Sequence, residues 1–275
     1  MSRNLGYGAF SILFFLHHAL LAQSQLSPSH SGNFISDASH VFSGAGHVLT
    51  SPLRWRGNDW AIFGSVLAGT FALSYLDEPA NDFMLRNHSR FADKLTDFGI
   101  EFGEPQTAVV LTGGLYVIAL IADNEWLRES CVIASTSLLS SGIVQSATKI
   151  ASGRGRPHLG LDHDVFDPFR GEENYYSFFS GHTMVAMIMS HTFAKRLDHA
   201  AAKVALYSLG AIGGLARMYN RDHWLTDVVV GNAIAITSVN SVSKWLKTRR
   251  NGKAAGGMQW QLVPRRRGMN LSLTW

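Results

Sequence analysis

Apolar residues in this chain gather into six segments divided by polar, glycine-containing loops: Trp60–Leu76, Thr107–Ala122, Cys131–Thr148, Thr183–Ala194, Lys203–Ala216 and Asp227–Ser243. Each is too long for an ordinary strand and none alternates apolar with polar positions, so the pattern predicts six helices in one all-α domain. At about 12–18 residues the segments fall at or below the length a bilayer span requires, and the pattern alone suits buried helices and membrane spans alike.

The flanks have a different pattern. Arg3 precedes an apolar stretch, Ala9–Leu21, broken only by Ser11, His17 and His18, and Ala22-Gln23-Ser24 follows as a small-residue cleavage site. Residues 1–24 therefore read as an export signal. Residues 25–59, rich in Ser, Gly and His, read as a linker or an N-terminal layer. The predicted domain runs from 60 to 248. In the tail, 249–275, the stretches Met258–Val263 and Met269–Trp275 alternate around Pro264-Arg265-Arg266-Arg267-Gly268, which predicts either a short β-hairpin or a basic tail.

Composition narrows this only slightly. Of 275 residues, 46% are hydrophobic and 16% charged, an apolar balance for a soluble protein. The mean hydropathy of +0.05 is nevertheless low for a chain made wholly of spans. A net charge of +4 fits an anionic lipid or a phosphorylated substrate. Nucleic acid is disfavoured, because no long Lys/Arg run interleaved with aromatics occurs in the body. The single cysteine, Cys131, cannot close a disulfide within the chain.

The placement of charge says more than its sum. If every apolar segment crosses a membrane, Arg54, Arg56, Arg128, Lys195, Arg196, Lys203, Lys244, Lys247, Arg249 and Arg250 all fall on one side, as a cytoplasmic face requires. Trp60, Trp126 and Trp245 lie at segment ends on that side. A cleaved signal would deliver residue 25 to the opposite side, so an integral protein and a soluble periplasmic bundle both remain open.

Three short constellations carry candidate chemistry. Lys149, Arg154 and Arg156-Pro157 place three cations at the exit of the third segment, and arginine forks and a lysine point charge both suit phosphate oxygens. Ser180-Gly181-His182-Thr183 opens the fourth segment, where an N-capping serine, a glycine and free helix N–H groups make an anion site with a histidine beside it. Arg217, His223 and Asp227 precede the sixth segment; a histidine and an aspartate four apart share a helical face, and the carboxylate can fix the imidazole tautomer. Singly, each has an ordinary explanation as a solvated loop or a capped helix. Together, the helix order brings all three to one end of the bundle, where cations, two histidines and a carboxylate form the set that phosphoryl transfer demands. Metal ligation is disfavoured by the cationic neighbours and the lack of an HExxH pair.

In order and spacing, Lys149-x6-Arg156-Pro157, Ser180-Gly181-His182-Thr183 and Arg217-x5-His223-x3-Asp227 resemble the signature motifs of the type 2 phosphatidic acid phosphatase superfamily, which also holds class A acid phosphatases and vanadium haloperoxidases. The resemblance covers about residues 60–245, and departs from the common pattern at Phe179, where proline is usual, and at Ala216, where serine is usual. It implies a six-helix bundle and a phosphatase that needs no metal or organic cofactor. His223 would attack phosphorus and form a phosphohistidine, with Asp227 orienting its ring. His182 would protonate the leaving oxygen and then activate water. Lys149, Arg156, Arg217, Ser180 and Gly181 would hold the phosphoryl oxygens. The expected substrate is a lipid phosphate or diphosphate; a nonspecific periplasmic acid phosphatase, a vanadate-dependent haloperoxidase and a silent phosphate-lipid binder are the alternatives. The aromatic connector, with Phe166, Phe169, Arg170, Tyr175, Tyr176, Phe178 and Phe179, is a candidate surface for an acyl or prenyl chain. Asp162-His163-Asp164 reads as polar loop. His17, His18, His30, His40, His47, His88, His191 and His199 have no partner pattern.

Overall fold

A computed structural model describes residues 34–254, 259–265 and 268–274. The expected export signal, residues 1–24, lies outside them. Nine α-helices occur among the described residues: α1 Phe34–Leu49, α2 Gly57–Ser74, α3 Asp77–Arg86, α4 Arg90–Gly103, α5 Pro105–Ile121, α6 Glu125–Ser152, α7 Gly181–Ala194, α8 Ala200–Tyr219 and α9 Leu225–Ala254. The six apolar segments lie in α2, α5, α6, α7, α8 and α9, so the chain is all-α as expected.

Three helices escaped the search for apolar runs. The first, α1, occupies the stretch read as a linker or N-terminal layer and packs on α6 and α9. Its Asp37 is buried, taking a 2.7 Å hydrogen bond from the Tyr116 hydroxyl. The second, α3, is mostly polar. The third, α4, puts apolar residues on one face only, which is why no continuous run marks it.

Local chemistry sets the helix ends. Ser89 and Asn124 cap α4 and α6 by accepting from Ala92 N–H and Leu127 N–H. Pro105 occupies the first turn of α5, where its missing N–H costs nothing. Gly153 ends α6 with φ +56°, and a Cβ there would lie 1.8 Å from the Asp167 carbonyl oxygen, so only glycine fits.

The core forms around α7, whose residues Thr183 to Ala194 are all buried. It is enclosed by α4, α5, α6, α8 and α9. Helix α2 is its opposite: equally apolar, it has no buried residue, and Trp60, Ile62, Phe63, Leu67 and Phe71 are exposed. An apolar helix without protein around it calls for an apolar solvent. Among the described residues two helices, α6 and α9, are long and apolar enough to cross a membrane. The bent pairs α2–α3 (51°) and α4–α5 (61°) raise the number to four if each counts as one span.

At the C-terminus, α9 continues through the first basic residues of the tail. Gln259–Arg265 (β1) and Gly268–Thr274 (β2) then pair antiparallel, with Trp260 opposite Leu273 and Leu262 opposite Leu271.

Candidate functional site

Helices α6 and α8 end, and α7 and α9 begin, at one end of the bundle, and the three motifs meet there. Hydrogen bonds stitch them together. Ser180 N–H donates to the Asp227 carbonyl (3.1 Å), His158 N–H to the Arg221 carbonyl (3.0 Å) and Trp224 Nε1–H to the Gly155 carbonyl (2.9 Å). Ser180 caps α7, its Oγ accepting from Thr183 N–H at 3.4 Å and from the Thr183 hydroxyl at 2.8 Å. Gly181 lies so close to α6 that a Cβ there would sit 2.7 Å from Gln145 Nε2.

Asp227 lies in the first turn of α9, fully buried. Its Oδ2 accepts from the Trp224 N–H (2.9 Å) and the Ser177 hydroxyl (2.5 Å), and Oδ1 accepts from Arg154 Nη1 (2.7 Å). His223, also buried, places Nδ1 3.5 Å from Asp227 Oδ2, close to the carboxylate but without a formed hydrogen bond. Burial pushes the His223 imidazole down to about 4 against the pull of Asp227, so the ring is neutral near neutral pH.

Arg154 corrects the sequence reading. Grouped there with Lys149 and Arg156 as a cation for an anion, it is instead buried and committed to protein. Besides Asp227 it donates to Asp77 Oδ2 (2.7 Å), the Thr226 hydroxyl (2.8 Å) and the His163 carbonyl (2.7 Å). Asp77 in turn accepts from Thr226 N–H at 2.8 Å. This clamp fixes the start of α9.

Arg156 and Arg217 stay on the pocket side. Asp222 lies between them, 3.3 Å from Arg156 Nη1 and 3.0 Å from Arg217 Nη2. Glu173 reaches Arg156 only at 3.8 Å and is largely exposed. Both arginines keep a buried Nε with no hydrogen-bond partner among the described residues. An unsatisfied buried donor costs roughly 1–3 kcal/mol, and an oxyanion would satisfy both. Lys149 joins this group, close enough for Arg156 and Arg217 to act on its charge.

His182 lies in the first turn of α7 with its side chain partly exposed. Its Nε2 is 2.8 Å from Glu104 Oε2. Burial and the nearby Arg217 lower its basicity, while Glu104 opposes both. All eight residues expected at the site are thus in one region: His182, His223 and Asp227, with Lys149, Arg156, Ser180, Gly181 and Arg217.

Sequence reasoning missed Glu104, Asp222, Ser177 and Asp77. Asp222 stood beside His223 in the sequence and Ser177 three residues before Ser180, so proximity was a usable signal for these two. Nothing local marked Asp77 or Glu104, whose partners lie 77 and 78 residues away.

The aromatic connector divides. Phe179, where proline is usual, is buried in the core and Phe178 packs against it. Tyr175 lies under the Arg170 guanidinium, 4.0 Å from its ring centre. Phe166 and Phe169 remain exposed. Ala216, where serine is usual, is buried against Gly99 of α4. His163 Nδ1 is 2.9 Å from Glu78 Oε1, and among the described residues no group of three or more His, Cys, Asp or Glu is placed to share a metal ion.

Residues 130–251 match the family model described as the PAP2 superfamily, and this span holds all three motifs. The comparison with curated proteins yields no match. Among solved structures, the chain resembles the first transmembrane PAP2 type phosphatidylglycerolphosphate phosphatase from Bacillus subtilis at 16% identity and a TM-score of 0.51, over 68% of this chain and 95% of that one. It also resembles Aquifex aeolicus LpxE at 18% identity and a TM-score of 0.47, over 62% and 95%. At such identity the first of these likenesses speaks for a common fold. Motif spacing, matched segment and helical architecture agree, and the chain is similar to the PAP2 superfamily over residues 130–251, somewhat under half of its length.

Proposed function

We propose that this protein is a lipid phosphate or diphosphate phosphatase that works through a phosphohistidine, without a metal, with its site on the outer side of a bacterial-type envelope. The observation that carries the reading is the excess of buried positive charge. Arg156 and Arg217 share Asp222, the exposed Glu173 reaches Arg156 only at 3.8 Å, Lys149 adds its charge beside them, the two arginine Nε–H groups have no partner among the described residues, and a neutral histidine is held beside them.

The chemistry follows in two steps. A lone pair of His223 forms a bond to phosphorus as the bond from phosphorus to the leaving oxygen breaks, and His182 gives that oxygen its proton. Water then attacks the phosphohistidine, His182 takes the proton from it, and the N–P bond breaks to release phosphate. Lys149, the Arg156 and Arg217 forks, the Ser180 side chain and the Gly181 N–H at the start of α7 hold the phosphoryl oxygens as charge shifts among them. A lipid rather than a soluble substrate is supported by the apolar surface of α2 and the span-length α6 and α9, and by the likeness to a transmembrane phosphatidylglycerolphosphate phosphatase.

The test is phosphate release from a panel of soluble and lipid phosphoesters, with and without strong chelator and with vanadate. We expect lipid phosphates to be the better substrates, chelator to leave the rate unchanged and vanadate to inhibit. Loss in chelator with recovery on adding a divalent ion would overturn the mechanism, and halide oxidation with added vanadate would replace it by haloperoxidase chemistry.

A further inference from the structure

We infer that Glu104 is the positioning residue of the acid–base histidine, forming with His182 a second histidine–carboxylate pair beside that of His223 and Asp227. The inference rests on the phosphohistidine reading and adds a residue that none of the three motifs contains.

The backbone is shaped to deliver this carboxylate. Glu104 is at once the last residue of the α4 cap and the N-cap of α5, in extended conformation (φ −70°, ψ 127°) at the 61° bend between the two helices. Pro105 follows and starts α5. Gly103 precedes, buried so tightly against α7 that a Cβ there would come within 2.8 Å of the His182 carbonyl oxygen and 3.1 Å of its Cβ. Bend, proline and glycine together place Glu104 Oε2 2.8 Å from His182 Nε2.

With Nε2 committed to Glu104, Nδ1 is the nitrogen that trades its proton with the leaving oxygen and later with water. The pair is also placed for traffic. The side chains of His182 and Glu104 are 22% and 34% exposed, against 2% and 0% for His223 and Asp227. The first pair meets the leaving group and water; the second is sealed behind the phosphorus.

Charge gives Glu104 a second task. From α8, Arg217 and, from α6, Lys149 both disfavour an imidazolium at His182, and burial does the same. Asp227 of α9 is occupied by Arg154, Ser177 and the Trp224 N–H. Glu104 is therefore the carboxylate, among the described residues in contact with His182, that keeps the proton on the ring for delivery. Without its charge, the acid loses its proton at a lower pH.

The experiment compares kcat/KM, which ends at the first covalent step, for the full chain in detergent micelles. One substrate is a long-chain alkyl phosphate, whose alkoxide must be protonated as it leaves; the other is p-nitrophenyl phosphate, whose leaving group needs no proton. Glu104→Gln should lower kcat/KM on the alkyl phosphate about 10- to 100-fold, within the usual contribution of a positioned acid. The basic limb of its pH profile should move to lower pH, while p-nitrophenyl phosphate changes by less than about threefold. Glu104→Asp, which keeps the charge, should recover part of the loss and serves as the informative variant if the glutamine protein does not fold. Equal losses on both substrates with an unmoved limb would overturn the inference and leave Glu104 a packing residue. His182→Ala is the control on the underlying reading: it should lose at least as much on the alkyl phosphate, and full activity there would remove the acid role and the inference with it.

Discussion

The two ends of the same four helices hold arginine in opposite ways. At the far end, Arg250 reaches both Glu125 (2.5 Å) and Glu129 (3.1 Å), and Arg196 reaches Glu129 (2.6 Å), so two cations meet two carboxylates in half-exposed pairs. At the motif end, Arg156 and Arg217 share Asp222 with Lys149 beside them, and Asp227 is consumed by Arg154. These far-end pairs match charge for charge, although Arg196 Nε also has no hydrogen-bond partner among the described residues. The motif end holds buried positive charge in excess, which is costly unless an anion completes it. That contrast, more than the number of basic residues at either end, supports placing the proposed chemistry at the motif end.

Removing the group that the excess charge serves should have the largest effect. His223→Ala should abolish phosphate release, a loss of at least about 10⁴-fold, because no other side chain there is neutral, buried and backed by a carboxylate. Asp227→Asn should cost about 10²- to 10⁴-fold, since it takes away tautomer control and half of the Arg154 clamp. Acid-quench trapping of labelled phosphate on the protein is the measurement. Covalent label persisting in the His223→Ala protein would mean that another residue attacks.

Much of this end was legible in the sequence. Helix α7 and the cationic ends of α6 and α8 could be read because apolar runs and motif spacing are local properties. Arg154 was misread for the complementary reason: a guanidinium near two other cations in sequence, Lys149 and Arg156, looks like a third phosphate ligand, and only the fold shows it turned toward Asp77, 77 residues away. Glu104 was silent because a glutamate before a proline has no pattern of its own. Helix α1 was hidden by composition, its serines, glycines and histidines masking a face that packs on α6 and α9.

A stability contrast sharpens the comparison. Arg154→Met leaves Asp77 and Asp227 buried without their cation, which should cost about 3–5 kcal/mol. Arg250→Gln removes a pair whose arginine side chain is 46% exposed and should cost about 1 kcal/mol or less. Thermal unfolding in detergent micelles reads both. Activity should follow the same order, with Arg154→Met strongly impaired and Arg250→Gln near normal. Equal destabilisation by the two substitutions would show that the clamp is no more than another surface pair.

The last prediction perturbs activity least and asks where each end faces. Asp164 is exposed in the connector at the motif end, and Asp198 is exposed in the loop between α7 and α8 at the far end. Helix α7 between them has 14 residues, about 21 Å, short of a ~30 Å hydrocarbon layer. Because it is buried on all sides, in a spanning bundle its shortness would be met by protein rather than by lipid, and the longer α6 and α9 would set the thickness. In a Cys131→Ser background, single cysteines at 164 and at 198 should leave kcat/KM within about twofold of the parent, as surface changes away from the pocket do. A membrane-impermeant thiol reagent on intact cells should label position 164 and spare 198 until the cells are opened. Labelling of both in intact cells would replace the spans with a soluble periplasmic bundle, and labelling of 198 alone would turn the site toward the cytoplasm and overturn the outward-facing assignment.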